Sequence, residues 1–372
     1  MRLNKVIVAP DSFKGALAAQ RVADIIAEEI GAAFPGCQVV KMPVADGGEG
    51  SIDTLIGVMG GEIFREQVTS PDGGEIEACY GVTANGTAVI EMAQSSGLTR
   101  QNGLHPMTSN TYGFGQLISS ALRRGVEDFI LCIGGSATTD GGCGMASALG
   151  ARFLDSAGNS FIPCGGTLCD IHMIDLWGID KRVSESSFIV MCDVENPLFG
   201  INGAAYVYAP QKGATPEQVV KLDEGLLHFG VLLYELLGRD FANVPGAGAA
   251  GGLGAGCMAF LGAVLLRGSE AIMDMCGLKK HIAGTDLIIT GEGKLDAQSF
   301  SGKALSGVLR GAGGVPVWSI CGVNDCDEAL ASAHGVSVFE ACEGVSAVEC
   351  MADAEGFLRL AARKALLGLR DV

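Results

Sequence analysis

The chain alternates short apolar, β-branched runs with glycine-rich loops that carry Asp, Glu, Lys, Ser or Thr, and this alternation restricts the fold more than any other feature. The loops read APDSFKG (9–15), PVADGGEGS (43–51), IGGSATTDGGCG (133–144), CDVENPL (192–198) with APQKGA (209–214), and TGEGKLDAQSFSGK (290–303). Strand, polar glycine loop, helix, repeated, is the signature of a parallel α/β sheet. The N-terminal third shows it twice. A strand over 6–9 precedes a helix over 17–33 with Val22, Ile25, Ile26 and Ile30 on one face, and a strand over 38–42 precedes a helix over 52–59. The C-terminal part repeats it, with strands over 286–290, 315–321 and 336–340, a helix over 303–310 and a closing helix over 347–369.

Between these ends the texture changes. Alternating runs over 62–91, with turn signals SPDGG and ANG, predict antiparallel hairpins. Helices are expected over 111–124, 215–237 and 255–275. The second has Thr215 as N-cap, Pro216 in the first turn and Gln218 at the capping-box position. The expectation is an α/β fold in two domains: a discontinuous one from both chain ends, interrupted by a middle domain with boundaries near Ile63 and His281. A chain of 372 residues, 48% apolar, fits two cores better than one.

With 42 acidic and 25 basic residues the net charge is −17, so neither nucleic acid nor a membrane surface is an expected partner. The thirteen cysteines show no paired spacing and mostly sit in apolar runs, which reads as reduced core cysteine in a cytoplasmic protein. No cleavable N-terminal apolar region and no membrane-length apolar stretch is recognised.

Glycine lets backbone N–H groups approach an anion, and neighbouring carboxylates hold a hard cation. In the third loop Gly134, Gly135, Ser136, Ala137 and Thr138 form a candidate phosphate site, with Asp140 positioned for a metal or a substrate hydroxyl. The bland reading is a tight turn with Asp140 as helix cap. In the second, Asp46 and Glu49 flank Gly47 and Gly48, either as ligands and proton acceptors or as a turn before a helix. In the first, Asp11, Ser12 and Lys14 end a strand, and Lys14 either meets an anion or is a solvated charge.

Asp193 ends an apolar run as a candidate general base, against an Asx-type turn into Asn196-Pro197, and Lys212 is a candidate anion contact. In the last loop Glu292 and Asp296 are candidate metal ligands, with Lys294 and Lys303 against phosphate, or the segment is a salt-bridged surface loop. Gly246, Gly248 and Gly251 satisfy G-x-G-x-x-G without the strand or acidic partner a dinucleotide site needs. A Walker sequence and protein-kinase signatures are absent.

These blocks in this order, with EMAQSSGL (91–98) and GAGAAGGLGAG, resemble the class I glycerate kinases of bacteria over essentially the whole chain. Thr139 stands where that family usually has Asn, and Ala209 where it usually has Gly. The resemblance implies ATP-dependent phosphorylation of D-glycerate with Mg2+, commonly on the 2-hydroxyl. It also implies a Rossmann/flavodoxin-like domain with a parallel sheet (1–63 and 282–372), an inserted mixed α/β domain (64–281) and substrates in the cleft between.

On that reading Asp193 is the base, with Asp46 second and Lys14 assisting, while Ser12, Lys14, Asp46, Gly47, Gly48 and Lys212 hold glycerate. Gly134, Gly135, Ser136, Ala137, Thr138, Asp140, Lys294 and Lys303 hold nucleotide, and Glu292 and Asp296 hold the metal. The expected partners are D-glycerate and ATP, with a homodimer allowed. The rival readings are phosphorylation at the 3-hydroxyl, a dinucleotide-dependent oxidoreductase and a non-catalytic small-acid sensor.

Overall fold

The computed structural model describes residues 3–44, 47–48, 50–268, 273, 275, 277–300 and 304–370. The chain separates into two compact units, Met1–Asp46 with Asp53–Val58 and Arg267–Val372, and Gly47–Ile52 with Met59–Leu266. Sequence reading had set the divisions at Ile63 and His281.

The first unit is built on five parallel strands in the order Val336–Glu340, Val317–Asn324, Leu287–Leu295, Lys5–Val8, Gln38–Lys41. In chain order this is the doubly wound 2-1-3-4-5 arrangement, whose direction of winding reverses between the first and third strands. Val6, Val8, Leu287 and Ile289 are buried among Val22, Ile25, Ile26 and Ile30 of the Ala19–Ala33 helix and Leu358, Ala362 and Leu366 of the Ala354–Arg370 helix. These two helices are tied together through Glu29, 5% exposed, which accepts from Arg363 Nε at 2.6 Å and Arg359 Nη1 at 3.1 Å.

Three expectations fail here. The strand expected to stop at Thr290 runs on to Leu295, pairing Glu292 with Cys321 and Lys294 with Val323. Its glycines serve close approach: a Cβ on Gly291 would lie 2.2 Å from the Ile320 carbonyl oxygen. The closing helix is broken at Asp353 into Ala347–Ala352 and Ala354–Arg370. Cys342 and Cys350, expected as thiols, form a disulfide with Cα atoms 5.8 Å apart.

The second unit carries a six-stranded sheet in the order Val264–Leu266, Ser187–Met191, Asp128–Cys132, Thr87–Glu91, Glu75–Thr83, Gly61–Thr69. The first four strands are parallel; the last two form the antiparallel hairpin expected from SPDGG. A small antiparallel sheet of Arg152–Leu154, Ser160–Phe161 and Met173–Asp175 adjoins it. The Pro216–Leu237 helix starts as read, with a full Thr215/Gln218 capping box. The helix expected over 255–275 is instead Ala249–Leu261, ended by Gly262 at φ 64°, and the chain then forms the edge strand Val264–Leu266. Among the described residues no helix is long and apolar enough to cross a membrane.

Candidate active site

In the first unit a cavity of about 450 Å³ opens where the strand order reverses. Ligands of open α/β sheets bind outside the carboxyl ends of the strands at this point. Lys5–Val8 delivers Asp11, Ser12, Phe13 and Lys14 to its wall; Leu287–Leu295 delivers Glu292, Gly293 and Lys294; Val317–Asn324 delivers Gly322 and Val323. Met351 and Ala354 add an apolar side. Ser12 and Lys14, expected on substrate, thus share one cavity with Glu292 and Lys294, expected on metal and nucleotide.

Asp11 and Glu292 are each only 8% exposed, so two carboxylates stand in a sheltered wall. Lys14 is exposed, and Lys294 Nζ lies 2.8 Å from Asp325 Oδ2 at the rim. Lys303 lies outside the described residues.

Asp296 departs from its expected role. The strand places it four residues beyond Glu292, roughly 13 Å along the chain at the usual rise. Its Oδ1 accepts from the N–H of Gln298 at 2.9 Å and of Ser299 at 3.3 Å, which caps the short turn after the strand. Glu292 lines the cavity and Asp296 does not. Among the described residues no three His, Cys, Asp or Glu side chains converge as a ready-made cage. Magnesium bound with a nucleotide does not need one, since it keeps waters and phosphate oxygens and takes one or two carboxylates. Asp11 and Glu292 fit that requirement, and Asp11 is the residue sequence reading left out of the ligand set. Its place beside Glu292 follows from the pairing of the two strands, Val8 against Ile289, which no local spacing reveals.

In the second unit the carboxyl ends of neighbouring parallel strands gather three of the glycine loops. Gly134 donates to the Gly47 carbonyl at 3.3 Å, and a Cβ on Gly47 would lie 2.7 Å from Met191 Cβ. Gly47 and Gly48, Gly134–Ser136 and the segment leading to Asp193 are thus brought together. Asp46 lies outside the described residues. The helix Ser51–Met59 starts from this cluster, with Glu91 Oε1 accepting from the Ile52 N–H at 2.7 Å, where a helix N-terminus favours an anion.

The 134–140 loop divides in two. Its outer part reaches the surface at Gly134 and Gly135, Ser136 lies just beneath, and the N–H groups of Gly135 and Ser136 have no partner among the described residues. Its inner part does not fit the expected role. Ala137 and Thr138 are fully buried, and the Ala137 N–H is already donated to Ser96 at 2.9 Å.

Asp140 is fully buried too. Its Oδ2 accepts from the Thr111 N–H (2.8 Å) and Oγ1 (2.7 Å) and the Gly144 N–H (3.1 Å), so the bland reading as a turn-holding residue prevails. Burial raises its carboxyl above the usual range, and those donors oppose the shift. Lys212 is also internal: 1% exposed, it donates to the Thr138 carbonyl at 2.6 Å and so supports the loop from beneath.

Asp193 is half-buried after the Ser187–Met191 strand. Asn196 anchors that segment: its Nδ2 donates to the Asn202 carbonyl at 2.8 Å and its Oδ1 accepts from Tyr208 at 2.6 Å.

The G-x-G-x-x-G glycines are packing residues. A Cβ on Gly248 would meet the Pro197 carbonyl oxygen at 2.1 Å and one on Gly251 the Thr138 carbonyl oxygen at 2.0 Å. Ala250, Gly251 and Gly252 are all left-handed, and Ala250 is the one non-glycine residue with positive φ among the described residues.

An open doubly wound sheet with an acid- and lysine-lined cavity, and a second sheet with glycine loops gathered at its strand ends, have the form of an α/β enzyme. Comparison with known proteins gives the narrower assignment. Residues 6–368 match the glycerate kinase family, and the chain belongs to that family. The glycerate kinase of Halalkalibacterium halodurans is 41% identical over 368 residues, spanning 97% of each chain. The glycerate 2-kinase of Escherichia coli K12 is 41% identical over 351 residues, 93% of this chain and 92% of that one. A crystal structure from Salmonella typhimurium LT2, of a protein provisionally named glycerate kinase 2, superposes with a TM-score of 0.87 at 38% identity, covering 100% of this chain and 99% of its own. The chain is accordingly an enzyme, a kinase, with two α/β domains.

Proposed function

We propose that the enzyme transfers the γ-phosphoryl group of ATP to the 2-hydroxyl of D-glycerate, giving 2-phosphoglycerate, in the cytoplasm. The observation that carries this reading is the set of groups at the strand ends of the second unit. Two adjacent backbone donors, Gly135 and Ser136, stand beside the segment that presents Asp193, with Gly47 and Gly48 packed against both. Phosphoryl transfer asks a protein chiefly for positioning and charge neutralisation, plus a group to receive the acceptor hydroxyl's proton. Bare N–H groups answer the first need and Asp193 the second.

The switch-point cavity of the first unit suits the nucleotide. Its volume lies in the range of small-molecule sites, Phe13, Val323 and Met351 offer apolar surface, and Lys14 and Lys294 offer charge. Magnesium supplies neutralisation of the β- and γ-phosphates when bound, and Asp11 with Glu292 would hold it there. Transfer to the 2-hydroxyl is favoured over the 3-hydroxyl by the likeness to the Escherichia coli glycerate 2-kinase.

Incubation with ATP, magnesium and D-glycerate, followed by phosphorus NMR, tests the reading. A 2-phosphoglycerate signal is the expected result. A 3-phosphoglycerate signal would keep the kinase and overturn the acceptor position, and no phosphorylated glycerate would overturn the reading.

A further inference from the structure

The Pro216–Leu237 helix has a second apolar stripe. Its inner face, Val219, Leu222, Leu226, Phe229 and Leu233, is buried in the core of the second unit. Its outer face should be polar. Instead Val220, Leu227, Val231 and Tyr234 are 45%, 44%, 47% and 58% exposed. Their spacing of seven, four and three residues places them along one line of the helix. The adjoining Ala204–Tyr208 helix adds Tyr206 and Val207, 36% and 43% exposed. Scattered surface apolar residues need no explanation, but a continuous stripe on one helix does.

The charges beside the stripe say what covers it. Glu217, Lys221 and Glu235 are exposed, and none has an ion-pair partner among the described residues, while Arg239 lies beyond the left-handed Gly238 that ends the helix and stacks over Phe241. In an antiparallel pairing of this helix with itself, centred on His228, Lys221 of each copy faces Glu235 of the other. The same alignment interleaves the stripe: Leu227 of one copy falls between Leu227 and Val231 of the other, and Val220 falls beside Tyr234.

A slip of one turn one way places Glu217 against Glu235, and a slip the other way leaves Lys221 and Glu235 without each other. A parallel pairing keeps Lys221 and Glu235 fourteen residues apart along the axis, too far to meet. Only the antiparallel alignment makes the Lys221–Glu235 pair, twice by symmetry, and self-complementarity of this kind is what a two-fold contact requires and a foreign partner does not. We propose that the outer face of the Pro216–Leu237 helix is the interface of a two-fold symmetric homodimer, in the register that pairs Lys221 with Glu235.

Sedimentation velocity over a wide range of concentrations, with far-UV circular dichroism as a folding control, tests this. The wild-type enzyme is expected to sediment as a dimer, and Val231→Glu as a folded monomer. Lys221→Glu sets acid against acid twice and is expected to weaken the dimer by about tenfold or more. Lys221→Glu combined with Glu235→Lys reverses both pairs and is expected to restore it. A monomeric wild type overturns the proposal, as does a dimer indifferent to Val231→Glu. Failure of the double exchange to restore what Lys221→Glu loses overturns the register.

Discussion

Lys212 Nζ donates at 2.6 Å to the carbonyl oxygen of Thr138, with the lysine only 1% exposed. The APQKGA segment therefore acts on the glycine loop by holding its inner half, while Gly134 and Gly135 stay at the surface. Removing the ammonium leaves a buried carbonyl unsatisfied, which costs about 1–3 kcal/mol. Lys212→Met is expected to lose stability in that range in urea titrations and to lower kcat as the loop relaxes, and an unchanged urea midpoint and kcat would refute the positioning role.

The same lysine makes stability depend on pH. Burial pushes its pKa down to about 7 from 10.5, and Asp140 partly opposes the shift. Between those values the unfolded chain binds more protons than the folded one, so this group's contribution to stability rises with pH from about 7 towards 10.5. The difference in unfolding free energy between wild type and Lys212→Met, measured at pH 7 and pH 9.5, should move in favour of wild type at the higher pH. No movement would mean that the lysine is not shifted.

Ala250 and Gly251 give a contrasting pair. Gly251→Ala places a Cβ 2.0 Å from the Thr138 carbonyl oxygen at φ 70°. It is expected to cost about 3 kcal/mol or more, or to prevent folding. Ala250 already bears a side chain at φ 53°, so Ala250→Gly relieves about 1 kcal/mol of left-handed strain. Thermal melts should shift in opposite directions.

Asp193→Asn keeps the size and the hydrogen-bonding reach of the side chain and removes its basicity. A general base contributes about 10²- to 10⁴-fold, so kcat should fall by that much with KM for glycerate little changed. Near-wild-type turnover would remove Asp193 from the chemistry.

Much of this was legible in the chain. The capping box at Thr215 and Gln218, the antiparallel hairpin around SPDGG and the first strand and helix all rest on short-range signals, and they stand as read. Errors arose where glycine was taken as punctuation. Gly291 and Gly293 lie inside a strand where neighbouring backbones come close: a Cβ on Gly291 would lie 2.2 Å from the Ile320 carbonyl oxygen, and one on Gly293 3.3 Å from Phe13 Cα. Gly262 was the true stop of its helix and was read through. The inner location of Asp140 and Lys212 was hidden for another reason. Their polar partners, Thr111 and Thr138, are remote in sequence, and a buried charge looks like an active one until its donors and acceptors are seen.

Metal dependence separates Glu292 from Asp296. Glu292→Gln should raise the magnesium concentration needed for half-maximal activity by about tenfold or more, whereas Asp296→Asn should leave that titration unchanged because its carboxylate serves as a backbone cap. Equal shifts in both variants would restore the shared-ligand view.

The pairing of Val6 with Leu287 also orders events during synthesis. The first strand leaves the ribosome early, but its central neighbour follows 281 positions later. At about 5–20 residues per second that delay is roughly 15–55 s. The whole second unit is made within the interval and can form its core while Lys5–Val8 and Gln38–Lys41 wait as two paired-edge strands without a sheet. The nascent protein thus spends most of its time on the ribosome with the opening segment, apolar and strand-prone, in need of protection, and the second unit is complete shortly before the partner strand arrives.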